Sequence, residues 1–206
     1  MVFCISVPSA TKTAENLFRD RGGIMRMSEA LAAGVSRSTL YAMRDAGELE
    51  VLSRGLYRLA SLPALESSDL VTATARVPNG VVCLISALAY HELTTQIPHA
   101  VDVAIAYGSE KPRIGFPPVN IYWFKGKAFS EGIEASIIDG RAVRIYSPEK
   151  SVADAFKYRN KIGLDVAIEA LKNWRQRPGA TFEHLLEQAK HCRMERVMKP
   201  YLETVA

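Results

Sequence analysis

Residues 34–60 read "GVSRSTLYAMRDAGELEVLSRGLYRLA". The side chains in this stretch best able to do chemistry are Arg37, Ser38, Thr39, Tyr41 and Arg44, followed by Arg54 and Arg58. Arginine forks match guanine O6 and N7 or phosphate oxygens, hydroxyls bond phosphates or base edges, and a tyrosine packs on a thymine methyl or bonds a phosphate. The chemistry these residues share is recognition of a polyanion. Leu40 and Met43 stand at i and i+3, so a helix that buries them turns Arg37, Tyr41 and Arg44 outward.

Positioning those side chains needs a short, well-defined frame, and the sequence supplies its signals. "TKTAENLFRDRGG" predicts a first helix with Thr13 as cap and Gly22-Gly23 as stop. "MRMSEALAAG" predicts a second, with Met27, Ala30 and Leu31 at helical spacing and Gly34 as stop. Only a tight turn separates it from the third, Ser36 to Ala46, in which Ser36 is the N-cap and Gly47 ends the run. The period then changes: "LEVLS" and "LYRLA" alternate as strands about Arg54-Gly55. Helix, helix, tight turn, helix, hairpin is the order of a winged helix-turn-helix. Its second paired helix enters the major groove of duplex DNA, with Arg54 and Arg58 following the backbone or the minor groove.

"SLPALESSD", residues 61–69, mixes Pro and Ser between periodic segments, so the domain boundary is expected there, giving domains 1–66 and 67–206. Beyond it "DLVTATARV" and "LISALAYHEL" read as helices. "VDVAIAY", "VNIYWF" and "EASIIDGRAVRIY" read as strands, the last a hairpin with a type I′ turn at Asp139-Gly140. From Ser147 the pattern is helical. "SPEKSVADAF" has a Ser cap and Pro at the first position, and "LDVAIEALKNW" places Leu164, Ala167, Ile168, Leu171 and Trp174 on one face. A last helix buries Met194, Val197, Met198, Tyr201 and Leu202. The expected fold class is α+β, a winged helix-turn-helix followed by a mixed β and helical domain.

The run of glycine, Ser-rich cap, "TLY", "GEL" and "RGLYR" resembles the antitoxins of the AbiEi family, the antitoxin half of type IV toxin-antitoxin systems. The resemblance is closest over residues 24–60. It implies a winged-helix repressor of its own operon that binds its promoter as double-stranded DNA. It further implies antagonism of a nucleotidyltransferase toxin, often without a stable complex. The alternative without a toxin is a solitary winged-helix regulator. The lead "MVFCISVPSA" departs from a simple domain start and reads as a disordered lead or a misplaced start codon.

An enzyme is the rival class. Nucleotidyltransferases carry Gly-Ser after a strand and, about a dozen residues on, two carboxylates that hold magnesium. Gly108-Ser109 follows a strand here, but Asn120 and Tyr122 stand where the carboxylates belong. Glu149, Lys150, Asp154 and Lys157 have the spacing of helix capping and i, i+4 pairing. His91, His99, His184 and His191 are scattered, without companions for a metal site. No catalysis, cofactor or metal is expected.

With 206 residues, 48% apolar and 23% charged, the chain has the composition of an ordinary soluble protein. A net charge of +4 permits a nucleic-acid partner without requiring one. Basic residues concentrate late, with 13 Lys and Arg against 7 Asp and Glu over residues 141–199. Lys157, Arg159 and Lys161, like Lys172, Arg175 and Arg177, sit at helix ends. That suits the helix dipole, further DNA contact or an acidic partner alike. Cys4, Cys83 and Cys192 stand far apart, so no disulfide is expected. The longest apolar run, "VVCLISALAY", is too short for a membrane span, and the expected location is the cytoplasm.

Overall fold

The computed structural model describes residues 9–205; the expectation for "MVFCISVPSA" falls almost wholly outside them. By packing, the chain divides into two compact units. One comprises the residues up to Arg76 together with Ile137–Ala142, the other Val77–Ser136 together with Val143 onward.

The first unit opens with α1 (Ala10–Asp20), capped by Ser9, whose Oγ accepts from Lys12 N, and not by Thr13. Gly23 N returns to Phe18 O and closes the helix. Then comes β1 (Ile24–Arg26), a strand where the sequence suggested the start of a helix, followed by the shorter α2 (Met27–Ala32). Three residues carry no period that sequence reading can detect, and this strand exists because β3 offers it an edge. Next are α3 (Arg37–Asp45), β2 (Leu49–Ser53), β3 (Leu56–Leu59) and α4 (Ser68–Arg76). β3 is central and antiparallel to both neighbours, pairing Met25 with Tyr57 and Leu49 with Leu59. The core of this unit joins Ala14 and Phe18 of α1, Met25, Ala30, Val35, Leu40, Met43, Leu49, Tyr57 and Leu59.

Asp139 and Gly140 both have positive φ, as a type I′ turn requires. The turn has a second task. Asp139 Oδ1 and Oδ2 accept from Glu66 N and Ser67 N at 3.1 and 3.0 Å, just before α4. Gly22 lies so close that an added Cβ would stand 2.1 Å from Gly140 O, and its φ is +72°. Only glycine meets both demands.

The second unit holds β4 (Val81–Val82), α5 (Leu84–Tyr90), β5 (Val101–Ala106), β6 (Val119–Phe124) and α6 (Lys127–Ser130). The hairpin strands β7 (Ile133–Ile138) and β8 (Arg141–Tyr146) complete a five-stranded sheet of order β6-β5-β4-β8-β7. The longest apolar run, residues 81–90, thus divides into β4 and α5, with α5 starting where the expected helix does. β4 is antiparallel to β5 and parallel to β8, and β5 is parallel to β6. Helices α7 (Pro148–Lys157), α8 (Arg159–Ile162), α9 (Leu164–Arg175), α10 (Phe182–Cys192) and α11 (Glu195–Val205) follow.

Ser147 Oγ caps α7 with Pro148 behind it, as the sequence indicates. The inward face of α9 is Val166, Ala167, Ala170, Leu171 and Trp174, while Leu164 is exposed at the first helical position. Of the last helix's apolar set, Met198 is fully buried, and Met194, Val197, Tyr201 and Leu202 pack against the core in part. The i, i+4 pair Lys150 and Asp154 is made, but both side chains are wholly buried. Asp154 also accepts from Cys192 Sγ at 3.2 Å, and Lys150 Nζ lies 4.0 Å from the Tyr146 ring centre. Cys83 and Cys192 are free thiols; burial, then the Asp154 charge, pushes Cys192 up to about 12.

His91 is buried, and its Nε2 donates to Tyr146 O at 2.7 Å. Burial lowers its pKa, which the bonded carbonyl only partly offsets. The folded state therefore disfavours the imidazolium, so this contribution to stability is present above the unfolded value of about 6.5 and is lost as pH falls through the folded value. Thermal unfolding should show a larger drop in Tm for the native chain than for His91→Gln between about pH 7.5 and about pH 5.5. Equal drops would assign the pH sensitivity elsewhere.

Candidate nucleic-acid interface

Helix α3 is built from its cap outward. Ser36 Oγ accepts from Thr39 N at 3.0 Å and sits 2.8 Å from the hydroxyls of both Ser38 and Thr39. These hydroxyls gather at the helix N-terminus, where exposed backbone N–H groups and the positive end of the dipole favour an anion. Gly34 carries positive φ in the turn before it, with Val35 N bonded to Ala30 O. Gly47, again at positive φ, follows the helix, and Glu48 N reaches back to Met43 O.

Leu40 is fully buried and Met43 nearly so, whereas Arg37, Ser38, Tyr41 and Arg44 are exposed and Thr39 is half-buried. The outward set therefore shares one solvent-facing side of α3. Arg44 stacks over the Tyr41 ring, 4.9 Å from its centre, and its guanidinium pairs with Asp45 at 2.7 Å. Asp45 leaves Arg44 partly neutralised and Arg37 without a carboxylate partner among the described residues. Such an exposed pair is weak and yields readily to a phosphate or a base.

Arg54 is exposed at the turn between β2 and β3. The turn is held from both sides: Arg76 Nη1 donates to Arg54 O at 2.8 Å, and Met27 N donates to Gly55 O at 2.8 Å. Arg76 was not among the residues singled out from sequence, where it reads as the basic end of an ordinary helix.

Arg58 departs from the expected placement. It is only 3% exposed, pairs with Glu50 at 3.0 Å and donates through Nη2 to Pro63 O. Strand alternation assigns it to the face opposite Tyr57 and Leu59. All four residues of β3 are buried, and on that face the Arg58 guanidinium meets the Glu50 carboxylate and the Pro63 carbonyl. Arg58 binds the segment after the hairpin to the sheet.

Among the described residues no group of three His, Cys, Asp or Glu side chains is placed to hold a metal ion, and no helix is long and apolar enough to cross a membrane.

Comparison with known proteins gives two findings. The crystal structure of the RV2827C protein from Mycobacterium tuberculosis resembles this one with a TM-score of 0.51 and 14% identity, over 97% of this chain and 83% of that chain. A likeness at that identity establishes the shared α+β fold. No curated protein matches the chain. The family described as "Transcriptional regulator, AbiEi antitoxin" matches residues 12–60, a span from α1 to the end of the hairpin that includes the whole exposed face of α3. Over those residues the N-terminal region of this chain is thus similar to the AbiEi antitoxin family of transcriptional regulators.

Proposed function

We propose that the protein is a sequence-specific repressor that binds duplex DNA upstream of its own gene and acts as the antitoxin to a nucleotidyltransferase toxin. The observation that carries this reading is the face of α3. On the second helix of a tight helical pair, Arg37, Ser38, Tyr41 and Arg44 face solvent while Leu40 and Met43 anchor the opposite side. A major groove admits one α-helix, and residues near its N-terminus meet base edges. Thr39 and Ser38 lie where phosphate meets a helix N-terminus, and Arg54 reaches the backbone from the hairpin tip. Arg58 has a supporting task, fixing the hairpin through Glu50 and Pro63.

Binding to the upstream duplex should weaken steeply with salt, by about 0.9 in the log-log slope for each phosphate contacted. Arg54→Ala should weaken upstream and random duplex alike and reduce that slope by about 1. A gel shift showing no preference for upstream over scrambled DNA would defeat the repressor reading.

Among Arg37→Ala, Tyr41→Ala and Arg44→Ala, at least one should lose about 1–3 kcal/mol on the upstream site with a smaller loss on random DNA. The triple substitution should leave folding intact, because all three side chains are exposed. It should still protect cells expressing the adjacent toxin from a separate promoter, since the resemblance to AbiEi antitoxins implies that neutralisation lies in the C-terminal part of the chain. Loss of protection at normal protein level would route neutralisation through DNA or through α3. The absence of any neighbouring toxin gene would favour the solitary regulator.

A further inference from the structure

The second unit contains a cleft of about 820 Å³ lined by cations from three separate segments. Lys125 comes from the turn into α6 and Lys127 from its first position, Lys157 from the end of α7, and Lys190 and Arg193 from the end of α10. Among the described residues that line it, none is a carboxylate, and none of these five cations forms a salt bridge with a described acid. Some basic residues belong at helix C-termini, where they offset the dipole. Dipole compensation does not explain Lys125, which precedes α6, or Lys127 at its first position, nor the convergence of all five on one concavity. Like charges lining one concavity repel, and a bound anion relieves that repulsion.

Two further features give the cleft a chemical preference. Arg193 adopts a left-handed conformation, φ +59°, at the end of α10, with Met194 N bonded to Ala189 O. Glycine makes this turn without steric cost, so the arginine stands there against the backbone preference. Trp123 lines the cleft with 41% of its surface exposed, and its Nε1 donates to Ser109 O at 3.0 Å, which fixes the indole plane. A fixed, part-exposed indole beside a row of ammonium and guanidinium groups matches a base and the phosphates attached to it. The volume lies within the range of small-ligand sites.

We propose that this cleft binds a nucleotide, its phosphates held by Lys125, Lys127, Lys157, Lys190 and Arg193 and its base stacked on Trp123. The same chemistry is presented by a free nucleoside triphosphate and by a unit within single-stranded RNA. The inference goes beyond the repressor reading and uses none of its residues.

The test is isothermal titration calorimetry on the full chain at low ionic strength with ATP, inorganic triphosphate and a short single-stranded RNA. ATP should bind more tightly than triphosphate. Lys127→Glu combined with Lys190→Glu, both exposed positions, should weaken ATP, triphosphate and RNA by about tenfold or more. Trp123→Leu should weaken ATP and RNA by about tenfold and leave triphosphate unchanged. RNA binding tighter than ATP identifies a strand as the source, and the reverse identifies the free nucleotide. Arg37→Ala with Arg44→Ala should retain ATP binding, so failure of the upstream-DNA reading leaves this one standing. The proposal is overturned by the absence of binding to all three probes, by ATP binding no more tightly than triphosphate, by charge reversal without effect, or by Trp123→Leu weakening triphosphate as much as ATP.

Discussion

Burial of Leu40 and Met43 sets the rotation of α3, and the functional reading of the first unit depends on that rotation. Each side chain removed from water contributes about 1.5–3 kcal/mol, which exceeds what any exposed contact of the same helix returns. A helix advances about 100° per residue, so fixing positions 40 and 43 fixes the directions of 37, 41 and 44 as well. The partners of that apolar pair come from α1, β1, β2 and β3, and the small sheet serves first as a wall for α3. The same wall carries the hairpin tip, where Arg76 and Met27 hold the Arg54-Gly55 turn from two sides. An exposed arginine is a useful contact only if its backbone is held, and these two hydrogen bonds hold it.

The second unit is organised around a different constraint, a cation in its interior. Lys150 has no water to solvate it, and it is compensated by Asp154, by the Tyr146 and Phe124 ring faces, and indirectly by the Cys192 thiol on Asp154. A buried pair of this kind adds little net stability over an apolar pair, but loss of one partner strands the other at a cost of about 3–5 kcal/mol. The arrangement requires α7, α10 and β8 to close around it together. The ends of α7 and α10 supply Lys157, Lys190 and Arg193 to the basic cleft. The interior pair and the cleft therefore rest on the same two helices.

The sequence made α3 legible because its signals are local: a serine cap, two apolar positions three apart, and a glycine stop. The Asp139-Gly140 turn and the Ser147-Pro148 start were legible for the same reason. Long-range features were not. β1 is three residues long and owes its conformation to pairing with β3. Ser9 displaced Thr13 as cap because α1 begins earlier than its apolar stripe. Arg58 alternates with buried neighbours and so reads as solvent-facing, until Glu50 and the Pro63 carbonyl engage its guanidinium. Lys150 and Asp154 have the spacing of a surface pair, and only the packing of α10 on α7 reveals them as interior. Charge counts indicated that the C-terminal region is basic. The joining of Lys125 and Lys127 to cations thirty or more positions further along is a property of the fold.

The two cationic surfaces differ in shape, and shape separates what they suit. The face of α3 is convex, a single helix of side chains about the width of a major groove. Its cations are few, one is shared with Asp45, and it carries hydroxyls and a tyrosine that discriminate among hydrogen-bonding partners. Such a face gains little from a lone phosphate and much from a pattern of base edges. The cleft of the second unit is concave and richer in cations, with an indole as its main planar surface. A rigid duplex presents its bases stacked and its charges on a convex cylinder, so it cannot bring a base to Trp123 without unstacking, which costs a few kcal/mol. An unpaired nucleotide bears no such cost. Positive charge permits an anionic partner at both surfaces; within the two proposals made above, curvature suits the first to a paired strand and the second to an unpaired unit.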